Sequence, residues 1–137
     1  MEFQRAVTRV HTTTSEFAVV DPRDPWPLVE IVASYAGVSR VAVDALVKAG
    51  VRGIVVAGNG SMHASFTGAL ADAVKHGVAV VRSSRVRSGH VMRNGAASDD
   101  ALGMHSAGTL NPYKARVLLM LALAANVADL QRVFDTN

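Results

Sequence analysis

The 137-residue chain contains no cysteine, so it can build neither a disulfide nor a thiolate metal site, and thiol usage leaves the compartment open. Aromatic residues are scarce at 5%, while half of the chain is hydrophobic. The core must therefore come from Val, Ala, Leu and Ile, the composition of helices laid on a buried parallel sheet. Long apolar runs are also missing. The longest, Val117 to Ala125, falls well short of the ~20 residues that span a bilayer and reads as a core helix, so no membrane partner is expected. No apolar stretch of signal-peptide length opens the sequence, so as written the chain is expected to stay in the cytoplasm. Charge of one sign does not dominate: the formal balance is +3, and without a recognisable binding module no nucleic-acid partner is expected. His11, His63, His76, His90 and His105 show no metal-ligand spacing and are assigned no role, and no metal or cofactor is expected.

What is present is enough for one compact domain with a real core. Residues 1–27 are a lead-in, with hydroxyls at Thr12 to Thr14 and three prolines between Asp21 and Leu28 that disfavour helix. The domain proper runs over 28–137. Residues 29–34 form a short β-branched run that reads as a first buried strand. Ser39 is positioned to cap a following helix with Val41, Ala45, Leu46 and Ala49 on one face and an Asp44–Lys48 pair on the other, closed by Gly50. The cycle repeats with a strand at 53–57, a loop at 58–61, a helix striped by Phe66, Leu70, Ala73 and Val74 up to Gly77, and a third strand at 78–81. A polar stretch, 82–100, carries Arg82, Arg85, Arg87 and Arg93 and precedes a short fourth strand within 103–107. Asn111 and Pro112 supply an N-cap and an N1 proline for the last long helix, and 128–134 reads as a further amphipathic piece. Strands alternating with helices over short connections predict the α/β class: a small, doubly wound, Rossmann-like parallel sheet of about four strands with flanking helices.

Ligands of such a sheet gather outside the carboxyl ends of the strands, which points to 58–61 and 82–100. Gly58-Asn59-Gly60-Ser61 is either a nest of backbone N–H groups for an anion or a plain strand-to-helix turn; it lacks the third glycine of a dinucleotide fingerprint. The arginines of 82–93 either hold a carboxylate ligand bidentately or are neutralised by Asp99 and Asp100. Thr12 to Thr14 offer hydroxyls, but no base is identifiable beside them.

Several phrases together resemble one family: His11-Thr12-Thr13 with Ser15-Glu16-Phe17, the run 29–35, Gly53 to Gly58, Val80-Val81-Arg82-Ser83-Ser84-Arg85, Asp99-Asp100, and Leu110-Asn111-Pro112 followed by Lys114-Ala115-Arg116-Val117-Leu118-Leu119. In this order and spacing they are similar to the C-terminal domain of bacterial type II L-asparaginases and glutaminase-asparaginases. The resemblance implies a parent activity, hydrolysis of the side-chain amide of L-asparagine or glutamine to the acid and ammonia, with the Thr-Gly-Gly-Thr nucleophile motif, a Thr-Asp pair and a lysine on a larger N-terminal domain. None of these motifs is in this sequence. Arg9, in Arg5-Ala6-Val7-Thr8-Arg9, offers a faint match to the family's lysine segment, but an arginine cannot exchange a proton near neutrality.

By the same resemblance, this domain forms much of a dimer and lends substrate-binding residues to a neighbouring subunit. Asn59 and Ser61 match those positions, whereas the family's acid falls on Ala96, and losing a countercharge for a desolvated cation costs ~2–4 kcal/mol. The glycine loop is two residues shorter than the family's. The resemblance thus implies an asparaginase C-terminal domain, split from its nucleophile and silent alone, in a homo-oligomer or with a separate N-terminal domain. Its parents are often periplasmic. The alternative is a non-catalytic module for dimerisation or for binding a small acid or amino acid.

Overall fold

A computed structural model of the chain describes residues 14–59, 62–86, 89–95 and 97–137. Strands β1 (Val29–Ala33), β2 (Gly53–Gly58), β3 (Ala79–Ser84) and β4 (His105–Ser106) form a parallel sheet in the order β1-β2-β3-β4. The register aligns Val29, Gly53 and Ala79 at one end and Val56, Arg82 and Ser106 towards the other. Helices α1 (Val41–Lys48) and α2 (Ala64–Lys75) follow β1 and β2, a short α3 (Asp99–Leu102) precedes β4, and α4 (Pro112–Ala124) and α5 (Leu130–Thr136) complete the chain. The expected α/β class with a four-stranded parallel sheet and flanking helices is what is found.

Side chains of successive strand residues point to opposite faces, so two cores form from one sheet. Val32, Ile54, Val56 and Val80 pack on one side with Phe66, Leu70 and Ala73 of α2 and with Val43 of α1. Val29, Val55 and Val81 pack on the other with Ala115, Leu118, Leu119 and Ala122 of α4 and with Val133 and Phe134 of α5. Burial on both faces is why β2 reads as an uninterrupted apolar run. Gly53 lets α4 sit close, since a Cβ there would lie 2.8 Å from the Leu119 Cδ2 and 3.2 Å from Val29 Cγ2.

The helix expected after Ser39 differs in detail. Arg40 occupies the N-cap, and Ser39 Oγ only accepts a long 3.4 Å bond from the Val41 N–H. The inward face is carried by Val43, with Leu46 and Val47 packed against the core, while Val41 is 69% exposed. Asp44 pairs backwards with Arg40 (2.7 and 3.0 Å), not forwards with Lys48. The guanidinium fork also reaches Asp72 of α2 at 3.3 Å, a bridge between helices that a point-charge ammonium makes less readily. By contrast, Asn111 caps α4 as expected, its Oδ1 accepting from the Lys114 N–H at 3.0 Å.

The lead-in is less detached than its prolines imply. Phe17 packs against the second core, and Glu16 accepts a 2.6 Å bond from Arg132 of α5. At the far side of the sheet, Gln131 of α5 pairs with the backbone of Ser106, its Oε1 accepting from the N–H at 2.9 Å and its Nε2 donating to the carbonyl at 3.2 Å. Among the described residues no helix is long and apolar enough to cross a membrane.

Candidate functional site

Both β2 and β3 stop where β-branched residues give way to glycine and serine, at Gly58 and Ser84. The Arg85 N–H donates to the Gly58 carbonyl at 2.9 Å and ties the two ends together. Beyond them opens a cleft of about 340 Å³, bounded by Asn59, Met62, Ser84 and His90 together with Val91 and Met92. The structure therefore brings together the two stretches expected to meet, the glycine loop and the polar segment after β3, at the carboxyl ends of adjacent strands. Asn59 stands exposed at the edge of this cleft, whereas Ser61 and Ala96 lie outside the described residues, as do Arg9, His11, Thr12 and Thr13.

The cleft floor is built on charge. Arg82, the fourth residue of β3, is 6% exposed, and Asp99, the first of α3, is fully buried. The guanidinium meets the carboxylate through two parallel bonds, Nε to Oδ1 and Nη2 to Oδ2, the latter at 2.6 Å. This bidentate geometry is the strongest an arginine and a carboxylate can adopt. The same pair holds the backbone on either side of Arg93: Arg82 Nη2 donates to the Met92 carbonyl at 3.1 Å, and the Asn94 N–H donates to Asp99 Oδ2 at 2.8 Å. Asn94 is in the left-handed region at φ 56°, and its side chain exchanges two further bonds with Asp100, at 2.7 and 3.0 Å. Arg93 completes the arrangement with a 2.7 Å bond to Asp100. The Asn94 amide and then the Arg93 guanidinium hold the Asp100 carboxyl below the usual carboxylate range.

Of the two uses open to the arginine cluster, neutralisation is the one adopted by Arg82 and Arg93, since each meets a carboxylate of its own chain. His105 lies beside this network, where burial, reinforced by Arg93, pushes its imidazole below the ordinary range. His76 Nδ1 bonds the Asp72 carbonyl at 2.8 Å, and among the described residues no group of three or more His, Asp or Glu is placed to hold a metal. Ser83 Oγ donates to the Leu110 carbonyl at 2.7 Å and Ser84 Oγ accepts from the Val86 N–H at 3.1 Å. The apolar side of the cleft, Met62, Val91 and Met92, carries no signature in the sequence. These residues sit in segments without periodicity, and only the fold gathers them.

The model of the glutaminase/asparaginase C-terminal domain family matches residues 28–134. L-asparaginase 2 of Escherichia coli (strain K12) is 42% identical over 98% of this chain and 40% of its own length. The glutaminase-asparaginase of Pseudomonas fluorescens biotype A is 41% identical over 95% of this chain and 37% of its own. Among solved structures, the probable cytoplasmic L-asparaginase from Campylobacter jejuni superposes with a TM-score of 0.75 at 44% identity, over 82% of this chain and 38% of that one. The chain thus spans about two fifths of the length of these relatives.

Proposed function

The chain belongs to the glutaminase/asparaginase C-terminal domain family, and from that premise we propose that it supplies one side of an amidohydrolase site while the nucleophile comes from an N-terminal asparaginase domain. The reaction served is hydrolysis of the side-chain amide of asparagine or glutamine, the substrates in the relatives' names. The carrying observation is what lines the cleft: the exposed side-chain amide of Asn59 beside serine hydroxyls already engaged with the backbone. A hydroxyl nucleophile needs a base within about 3 Å, and none of the described bonds in the cleft joins a hydroxyl to one. In this reading Asn59 and Ser61 bind the substrate. Ala96 leaves its ammonium group without the acid that the family places there.

Purified chain 1–137 should release no ammonia from asparagine or glutamine, and should do so once mixed with an N-terminal asparaginase domain. Turnover by the chain alone would overturn the proposal, and so would silence of a mixture shown to form a complex.

The same reading makes the chain a subunit of an oligomer. Tyr113 and Val117, two large hydrophobic side chains one turn apart on the outer side of α4, are 76% and 54% exposed. Sedimentation at micromolar concentration should show dimers or larger species that Tyr113→Lys with Val117→Lys shifts to monomer. A monodisperse wild-type monomer would contradict it.

A further inference from the structure

We infer that Arg82 and Asp99 are positioning residues, whose ion pair, rooted in β3, fixes residues 92–95 as a wall of the cleft that Asn59 lines. The pair is bonded to that wall at two successive points, the Met92 carbonyl and the Asn94 N–H, so its orientation is transmitted directly to the backbone around Arg93. Stability alone does not account for such a pair, because buried ion pairs are often replaceable by apolar side chains of similar volume without loss. What apolar side chains cannot supply is direction. Here direction matters, because Asn94 turns the chain through the left-handed region, which asparagine enters more readily than other non-glycine residues, and its N–H at that turn is held by Asp99. The Asp99 oxygens accept from both Arg82 and Asn94, and Asp100 closes the turn from the other side, leaving the wall one arrangement. Met92 and Gly95, which line the cleft, are carried by this segment.

The consequence for a substrate rests on the half-site reading above; the consequence for the wall does not. The test is the double variant Arg82→Met with Asp99→Leu in the 137-residue chain, measured by hydrogen exchange. Unfolding stability should return close to that of wild type, while amides of 91–95 exchange at least about tenfold faster and those of β2 and β3 change less than about twofold. Unchanged exchange at 91–95 in a stable double variant would overturn the inference, because the pair would then be structural filler. If that variant does not fold, Arg82→Lys carries the test, since it keeps the charge and loses the fork; it should accelerate the same amides selectively, and protection equal to wild type would overturn the inference. In the mixture with an N-terminal domain, the double variant should raise KM by about tenfold with kcat within about twofold, the signature of a displaced binding wall. A wild-type mixture that is silent counts against the half-site reading alone, and the exchange result still decides the positioning role.

Discussion

Asp99→Ala should lower the free energy of unfolding by about 3–5 kcal/mol, the usual cost of removing one partner from a buried ion pair. Asp99 is fully buried and Arg82 only 6% exposed, so water cannot replace the lost carboxylate. The guanidinium is left inside the fold without countercharge, and the Asn94 N–H loses its acceptor. Against a typical total of ~5–15 kcal/mol this is a large fraction, and a visible share of the variant should be unfolded at physiological temperature. Urea unfolding followed by circular dichroism reads the effect as a fall in midpoint at unchanged slope. Asp100→Ala provides the comparison: its pair with Arg93 is half-exposed on both sides, and the midpoint should barely move. Equal shifts for the two aspartates would mean that the Arg82 site is open to solvent, against the burial described.

Phe66→Ala should cost about 3–5 kcal/mol through lost burial and a residual cavity. Phe66 has no exposed surface and is the largest of the fully buried side chains. It sits in the first turn of α2, where it meets the core formed by β1, β2 and β3, and is the first buried anchor after the loop that leaves β2. Its loss should therefore loosen the loop bearing Asn59 before it disturbs the sheet. Phe66→Leu, which keeps much of the volume, should cost clearly less in the same urea-unfolding experiment. If both variants unfold within about 1 kcal/mol of wild type, α2 is not anchored as described.

The strands and longer helices were legible because their period is strong. β-branched runs at 29–34 and 53–57, and the spacing of Phe66, Leu70 and Ala73, leave few alternatives once both faces of a sheet must be covered. The first helix was legible as a helix but not in its facing. Alanines at 42, 45 and 49 dilute the apolar stripe, and a single buried residue, Val43, decides the rotation. Helix α3 was hidden at the end of the polar segment 82–100, which it straddles, since four residues carry no period and its buried residue is an aspartate. That Arg82 would seek an acid could be read from the nearby Asp99 and Asp100; which of the two it would choose could not, since that follows from β3 pointing one side chain inward. At the candidate site, Asn59 was visible as part of a glycine turn, while the methionine and valine wall emerges only when distant segments converge.

Gln131 gives the sheet an end. A two-residue strand is a weak template in any case, and here the outer N–H and carbonyl of Ser106 are occupied by a carboxamide that imitates the next strand. A foreign peptide cannot add itself at β4 without first displacing α5, whose Val133 and Phe134 are embedded in the second core. Growth by strand addition is thereby resisted at β4, where a side chain borrowed from the last helix, and not a further strand, brings the hydrogen-bonded ladder to a close.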